Sequence, residues 1–448
     1  MTAAAIGGSG AGQRAVAIFA VLSAMTLVVL DAGVANVALP ALGDALGAAP
    51  DRAMLVVTAY QAGLVMALLP AGALGERFGR RRVFALGVGV FAGASALCAL
   101  APSLPWLVAA RLLQGLGGAA IMALGVALLR LSVPAGRLGA AIGWNALTVA
   151  LASAAAPSLG AAILSVADWP ALFAVNLPLA AATLAASRAL PSSPPSATAP
   201  DAISMGLNAA ALGALVLAAE SALTAPRMAV ALLAGGAGGL TLLMRREAPK
   251  AEPLVPLDLL RSEPFRLSVV ASVCCFAAQS AGLLALPFLL QHGFGRSPLE
   301  AGLLITVWPL SVAIAAVAAG RLSDRLPTAW LCALGGALLS AGLAGAGAGP
   351  PEIGPARLVP FLALAGIGFG LFQSPNNRNL LLSAPAGRSG AAGGMQGTAR
   401  VTGQTVGSVG TALLFSLAAP VAAPQIALMA AAAFALAAGL VSLFRILA

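Results

Sequence analysis

Asp31 is the residue in this sequence best placed to do chemistry. It stands in Thr26 to Pro40, TLVVLDAGVANVALP, inside an apolar run of helical length whose only other charge is Arg14 at the near end. If that run crosses a bilayer, an ionised acid there costs about 2.5–3.5 kcal/mol on insertion scales, and residues kept at such a cost are usually the working part of a membrane protein. Arg111 is its natural counterpart. Asp31 lies seven residues from the outer end of an expected span 15–38, and Arg111 six residues from the outer end of an expected span 105–130. At 1.5 Å per residue both are about 9–11 Å below the same boundary. Opposite charges at one depth, each expensive alone, have reason to meet. The chemistry they offer is proton exchange: burial disfavours an ionised acid, a neighbouring guanidinium favours it, and moving the arginine or bringing up a cation tips the balance. A static ion pair is the plainer reading. A working role is preferred, because replacing buried pairs by apolar residues often leaves stability intact.

These residues need helices to hold them, and composition supplies helices. Of 448 residues 60% are hydrophobic and only 8% charged, against about 25% charged in soluble domains. Too few charges remain to cover a water-facing surface. The chain is expected to be an all-α polytopic membrane protein rather than a barrel, from its apolar runs of about 20 residues. The net charge of +10 is read as topology rather than as a nucleic-acid surface, because the basic residues fall in short loops. Cys98, Cys274, Cys275 and Cys332 all lie in apolar runs and are read as small buried hydrophobes. The Gly/Ala-rich first eleven residues lack a cleavage site, and the run from Ala15 is too long for a signal sequence.

Fourteen spans are expected: 15–38, 53–74, 83–101, 105–130, 137–165, 169–189, 203–222, 228–245, 266–291, 299–321, 329–348, 357–382, 388–417 and 423–446. With a cytoplasmic N-terminus this count puts 18 basic residues on the inside and 4 on the outside, with Arg111 and Arg400 within spans. That bias satisfies the positive-inside rule with both termini cytoplasmic. Internal repeats organise the spans. Gly136 to Gly143, GRLGAAIG, matches Gly387 to Gly394, GRSGAAGG; Gly72 to Arg77, GALGER, matches Gly320 to Arg325, GRLSDR; and Ala38-Leu39-Pro40 matches Ala285-Leu286-Pro287, all at offsets of 247 to 251. The expectation is two six-helix bundles related by a parallel repeat, residues 1–190 and 263–448. A loop with two inserted helices, 191–262, lies between them.

The loop Gly72 to Arg82, GALGERFGRRR, joins the second and third spans. Its glycines suit a tight turn. Gly72, Glu76, Arg77, Gly79 and Arg80, with Asp324 and Arg325 in the partial copy, form a candidate charge lock that opens and closes with conformational change. Arg81 and Arg82 are read as positive-inside residues only. This loop resembles the G-x-L-x-D-R-x-G-R-R loop of the major facilitator superfamily, with Glu76 where the family usually has Asp. The chain also resembles that superfamily's fourteen-span drug:proton antiporter branch. Leu30-Asp31 with Asn36 to Pro40 is similar to its first-span motif, and Arg111 with Gln114, Gly115, Gly117 and Gly118 to its fourth-span motif. Gly366 to Asn377, GIGFGLFQSPNN, and Arg400 with Gly403, Gly407 and Gly410 are similar too. In the fifth span, Ala152 to Ala161, ASAAAPSLGA, keeps Pro157 and Gly160 of the antiporter motif but has alanine for three of its glycines; a kinked helix is still expected. The resemblance implies a major facilitator fold and proton-coupled export of hydrophobic drugs by alternating access.

A mixed apolar and polar cavity between the halves is expected from polar or aromatic residues within spans. The candidates are Asn36, Tyr60, Gln61, Gln114, Asn145, Trp308, Gln373, Asn376, Gln396, Arg400 and Gln404. Arg400 is twelve residues into span 388–417, roughly 18 Å deep. Two deep arginines against one acid do not describe a dedicated cation binder, so an anionic or zwitterionic substrate stays open. His292 is read as a solvated loop residue. Enzyme chemistry is disfavoured: the sequence has one His, no GxSxG, HExxH or Walker A loop, and no Asp pair inside a span. No cofactor or metal is expected beyond the proton gradient as energy source. The expected partners are substrate, protons and the bilayer of a bacterial inner membrane, with a monomer as the working unit and no nucleic acid. A carrier of one metabolite is the alternative, and a receptor or scaffold the remote one.

Overall fold

The computed structural model describes residues 11–447 other than 135–136, 193–200, 223, 251–252, 254–256, 324, 349–354 and 384–388. Every regular element among them is helical. The long helices are α1 (Ala11–Ala45), α2 (Leu55–Phe78), α3 (Arg80–Ala99), α4 (Leu104–Ser132), α5 (Leu138–Val166), α6 (Asn176–Ala186), α7 (Ala202–Glu220), α8 (Pro226–Glu247), α9 (Glu263–Phe288), α10 (Pro298–Leu322), α11 (Thr328–Gly347), α12 (Leu358–Leu382), α13 (Ser389–Leu417) and α14 (Ala423–Leu447).

Among the described residues, thirteen helical segments are long and apolar enough to cross a membrane. The protein is a multi-pass membrane protein. The expected span 388–417 differs from the others: α13 has the length but carries Gln396, Thr398, Arg400, Thr402, Gln404 and Thr405. It can be that polar because it packs along α2, between the two halves, rather than against lipid alone. The expected span 169–189 also differs, being broken into Ala171–Ala174, α6 and a short 3-10 turn. Pro178 has no backbone donor for the carbonyl four residues back, Ala174, and the break falls directly after that residue.

Helix ends follow local chemistry. Ser297 and Glu300 form a reciprocal capping box on α10, and the Asp201 carboxylate accepts from the Ile203 and Ser204 amides at the start of α7. Gly79 turns the chain between α2 and α3 at φ +95°, a conformation that disfavours any side chain. Helix spacing follows from glycines: a Cβ on Gly115 would stand 2.1 Å from the Tyr60 carbonyl oxygen, so α2 and α4 touch backbone to backbone. In the second half, Gly366 meets the Trp308 carbonyl of α10 in the same way.

The two halves share one apolar core at the end of the molecule bearing the 45–50 and 289–297 connections. There Gln291 Nε2 donates to the Val37 carbonyl (3.0 Å), Ser158 Oγ and Thr306 Oγ1 lie 2.7 Å apart, and Ser416 Oγ donates to Asp51 at 3.2 Å. Gly302 of α10 packs on Ala161 and the Pro157 carbonyl of α5. The inserted helix α7 lies against α2, where Asn208 Nδ2 donates to the Met66 carbonyl (3.1 Å), and also against α13. Helix α7 therefore lies beside the contact between α2 and α13.

Candidate functional site: a clamped carboxylate and the seam beside it

Asp31 and Arg111 meet. Asp31 is 2% exposed and Arg111 0%, and Arg111 Nη1 donates to Asp31 Oδ2 at 2.5 Å. The other carboxylate oxygen, Oδ1, accepts from Gln114 Nε2 at 2.9 Å and from Asn176 Nδ2 at 2.8 Å. One acid on α1 thus ties together α4 and α6. Gln114 extends the network, accepting from Arg111 Nη1 at 2.5 Å and donating to Ser95 Oγ of α3 at 2.9 Å. Buried polar groups persist when hydrogen-bonded, and bonds to an ionised partner are the strong kind.

The arginine is positioned by helix spacing. Because Gly63 and Gly115 let α2 and α4 touch, Arg111 Nε reaches the Val56 carbonyl of α2 at 3.1 Å. The Tyr60 ring lies 4.3 Å from its guanidinium carbon and Phe173 5.6 Å, the geometry of cation–π support. A cavity of about 330 Å³ abuts Asp31 and Asn176 between α1, α5 and α6, walled by Leu27, Leu30, Val34 and Leu159 among others.

The structure spreads the other candidate residues over three settings. Gln114 belongs to the carboxylate network. Gln61 and Arg400 lie on the seam: Ser408 Oγ of α13 donates to Gln61 Oε1 at 2.5 Å, and Arg400 Nη2 lies 3.6 Å from Met122 Sδ of α4. Trp308 and Asn376 are inside the second half. The Trp308 ring packs by Gly282, and Asn376 Nδ2 donates to the Ser268 carbonyl (3.1 Å) and Ser272 Oγ (2.7 Å). Both are almost wholly buried, Trp308 beside Gly282 and Asn376 by its hydrogen bonds to α9. Asn36, Asn145, Gln373, Gln396 and Gln404 are half-buried. Asn36 Oδ1 and Asn145 Oδ1 have no hydrogen-bond partner among the described residues.

Pro157 lies within α5, and Gly160 one turn on seats Val34 of α1 against its backbone. Of the expected loop 72–82 only Gly79 lies outside α2 and α3; within that stretch Glu76 pairs with Arg80 at 3.9 Å, partly exposed, a kind of ion pair that contributes little to stability. Gly72 has open space around it, Arg77 is half-buried and Arg325 is exposed. Asp324 falls outside the described residues.

Sequence reasoning missed Asn176 and Ser95. The signal was present: Asn176 is seven residues from the outer end of the expected span 169–189, and Ser95 six from that of 83–101. That is the depth shared by Asp31 and Arg111.

A sequence profile of the Major Facilitator Superfamily matches residues 21–408. The chain belongs to the Major Facilitator Superfamily. This facilitator is 41% identical to the uncharacterized transporter YebQ of Escherichia coli (strain K12), over 97% of this chain and 96% of that one. It is 30% identical to the tetracenomycin C resistance and export protein of Streptomyces glaucescens, over 89% and 74%. It is 27% identical to the riboflavin transporter RibZ of Clostridioides difficile (strain 630), over 87% and 85%. Among solved structures, a POT family transporter in complex with a thioalcohol-conjugated peptide superposes with a TM-score of 0.73 over 96% of both chains, at 14% identity. That likeness shows the fold alone. The facilitator is a membrane transporter, not an enzyme.

Proposed function

We propose that this facilitator exports hydrophobic compounds in exchange for protons, and that it belongs to the fourteen-span drug:proton antiporter branch of its superfamily. The observation that carries the reading is the clamp on Asp31. One buried carboxylate receives donors from α4 and α6 and has a single guanidinium as counter-charge. Protonation would discharge Asp31, weaken all three bonds and leave Arg111 buried without its counter-charge, which is costly. A change of helix arrangement that re-satisfies Arg111 would then follow the proton. Ionisation would restore the clamp. The proton gradient is the energy source, with no cofactor. The seam around Gln61, Arg400 and Ser408 takes the substrate, and both termini face the cytoplasm of a bacterial inner membrane. The relatives named for tetracenomycin C export and riboflavin transport support a substrate with an extended aromatic body.

Everted vesicles with an imposed pH gradient test the proposal. Cationic, neutral and anionic aromatic compounds are added in turn while a pH-sensitive dye reports the gradient. Collapse of the gradient by at least one class is expected from the native protein and none from Asp31→Asn. Undiminished coupled transport by Asp31→Asn would refute the assignment.

A further inference from the structure

Arg400, in the body of α13, is a charge that the carboxylate clamp does not use. It sits on α13 in the seam, with Nη2 against the Met122 sulfur of α4. Its Nε is buried with no hydrogen-bond partner among the described residues. The ion pairs among those residues do not include it. Asp31 is committed to Arg111, Gln114 and Asn176.

Arg400 is half-buried with its Nε shut off from water; a guanidinium partly withdrawn from water without a counter-charge is unfavourable, and arginine cannot shed its proton to escape. Met122 touches it, the Tyr60 ring stacked on Arg111 lies within electrostatic reach, and Gln61, bonded to Ser408, stands about two helical turns further along α13. Methionine and aromatic surfaces suit a flat apolar body.

We infer that Arg400 receives an anionic group of the transported molecule, a carboxylate or phenolate carried on an aromatic body. This deepens the transport reading and rests on it. The fork of the guanidinium matches a carboxylate through paired N–H donors, and loading the anion supplies the missing counter-charge. Substrate and proton are then held by separate arginines, Arg400 for the one and Arg111 for the other.

The test is equilibrium dialysis of the purified full-length protein with pyrenebutyrate, its neutral amide and the corresponding amine, with no gradient imposed. The native protein should bind the carboxylate best. Arg400→Gln should weaken carboxylate binding roughly 10- to 100-fold while leaving the amide within about twofold, the size expected for one charge-assisted contact. Arg400→Lys should recover part of the loss. Thermal midpoints of both variants should equal or exceed that of the native protein, since an uncompensated charge has been removed or softened. The inference is overturned if the native protein shows no preference for the carboxylate, including binding none of the three probes. It is also overturned if Arg400→Gln retains the preference or if both variants unfold. Carboxylate binding that persists while vesicles show no proton coupling would instead overturn the export reading and leave the anion site standing.

Discussion

Two charged clusters in this molecule are built from the same parts and set in opposite surroundings. In the first, Asp31 is held by Arg111, Gln114 and Asn176 with side-chain exposures of 0% and 1% for the ion pair. In the second, Asp201 at the head of α7 is held by Arg246 (3.0 Å) of α8 and by Lys250 (2.6 Å) three residues past its end, at exposures between 25% and 40%. Ser204 and the buried Glu247 complete it, with Ser204 Oγ donating to Glu247 Oε1 at 2.5 Å. The exposed cluster fastens the start of α7 to the end of α8. Its hydrogen bonds from Lys250 and Arg246 hold the Asp201 carboxyl well below the usual carboxylate range, so it stays charged throughout ordinary pH. Water beside it screens the pairing and keeps the energy at stake small. The buried cluster has no such screening, so gaining one proton there changes the balance of several bonds across three helices. Surroundings, rather than residue types, separate a fastening from a candidate coupling device.

The contrast is broken or sharpened by substitution. The largest effect is expected for Asp31→Asn, which keeps the shape and removes the titratable group: gradient-driven transport in vesicles should fall to the level of vesicles without the protein, with the protein still folded. Arg111→Lys comes next. A lysine keeps the charge but not the planar fork that serves Asp31, Gln114 and the Val56 carbonyl together, so transport should drop about tenfold. Asn176→Ala removes one of the two donors on Oδ1, and a loss of about 3- to 10-fold in initial rate is expected. The smallest effect belongs to the exposed cluster. Asp201→Asn should leave transport within about twofold and lower the thermal midpoint by about 1–3 °C at neutral pH. Its sign with pH is fixed. A carboxyl depressed on folding contributes stability above its unfolded value of about 4. That contribution is lost as pH falls below, so the native protein and Asp201→Asn should converge in acid and separate at neutral pH. Equal losses of transport at both clusters would erase the distinction.

Much of this arrangement was legible in the sequence. Depth counting from span ends placed Asp31 and Arg111 at one level, and the same count applied to every polar residue would have added Asn176 and Ser95. The repeats and the loop from Gly72 to Arg82 identified the superfamily. What stayed hidden depends on helix rotation and on neighbours. Hydropathy treats Trp308 and Asn376 like Gln61, and only packing shows that Gly282 and Ser272 draw the first two into one half. The break before α6 was written in Pro178, but a window of apolar residues averages over a proline. The polarity of α13 lowers its hydropathy, although that polarity is what a helix between two halves can carry.

The claim that everything else leans on is that Asp31 takes up and gives back a proton. Infrared difference spectroscopy of the purified protein during pH titration reads that event directly, through the carbonyl stretch of a protonated carboxylic acid. The account predicts a band that grows as the pH falls and is missing from Asp31→Asn. A band identical in the two proteins, or none assignable to Asp31 anywhere in the folded pH range, would mean that the clamp is permanently charged and does not couple transport to protons.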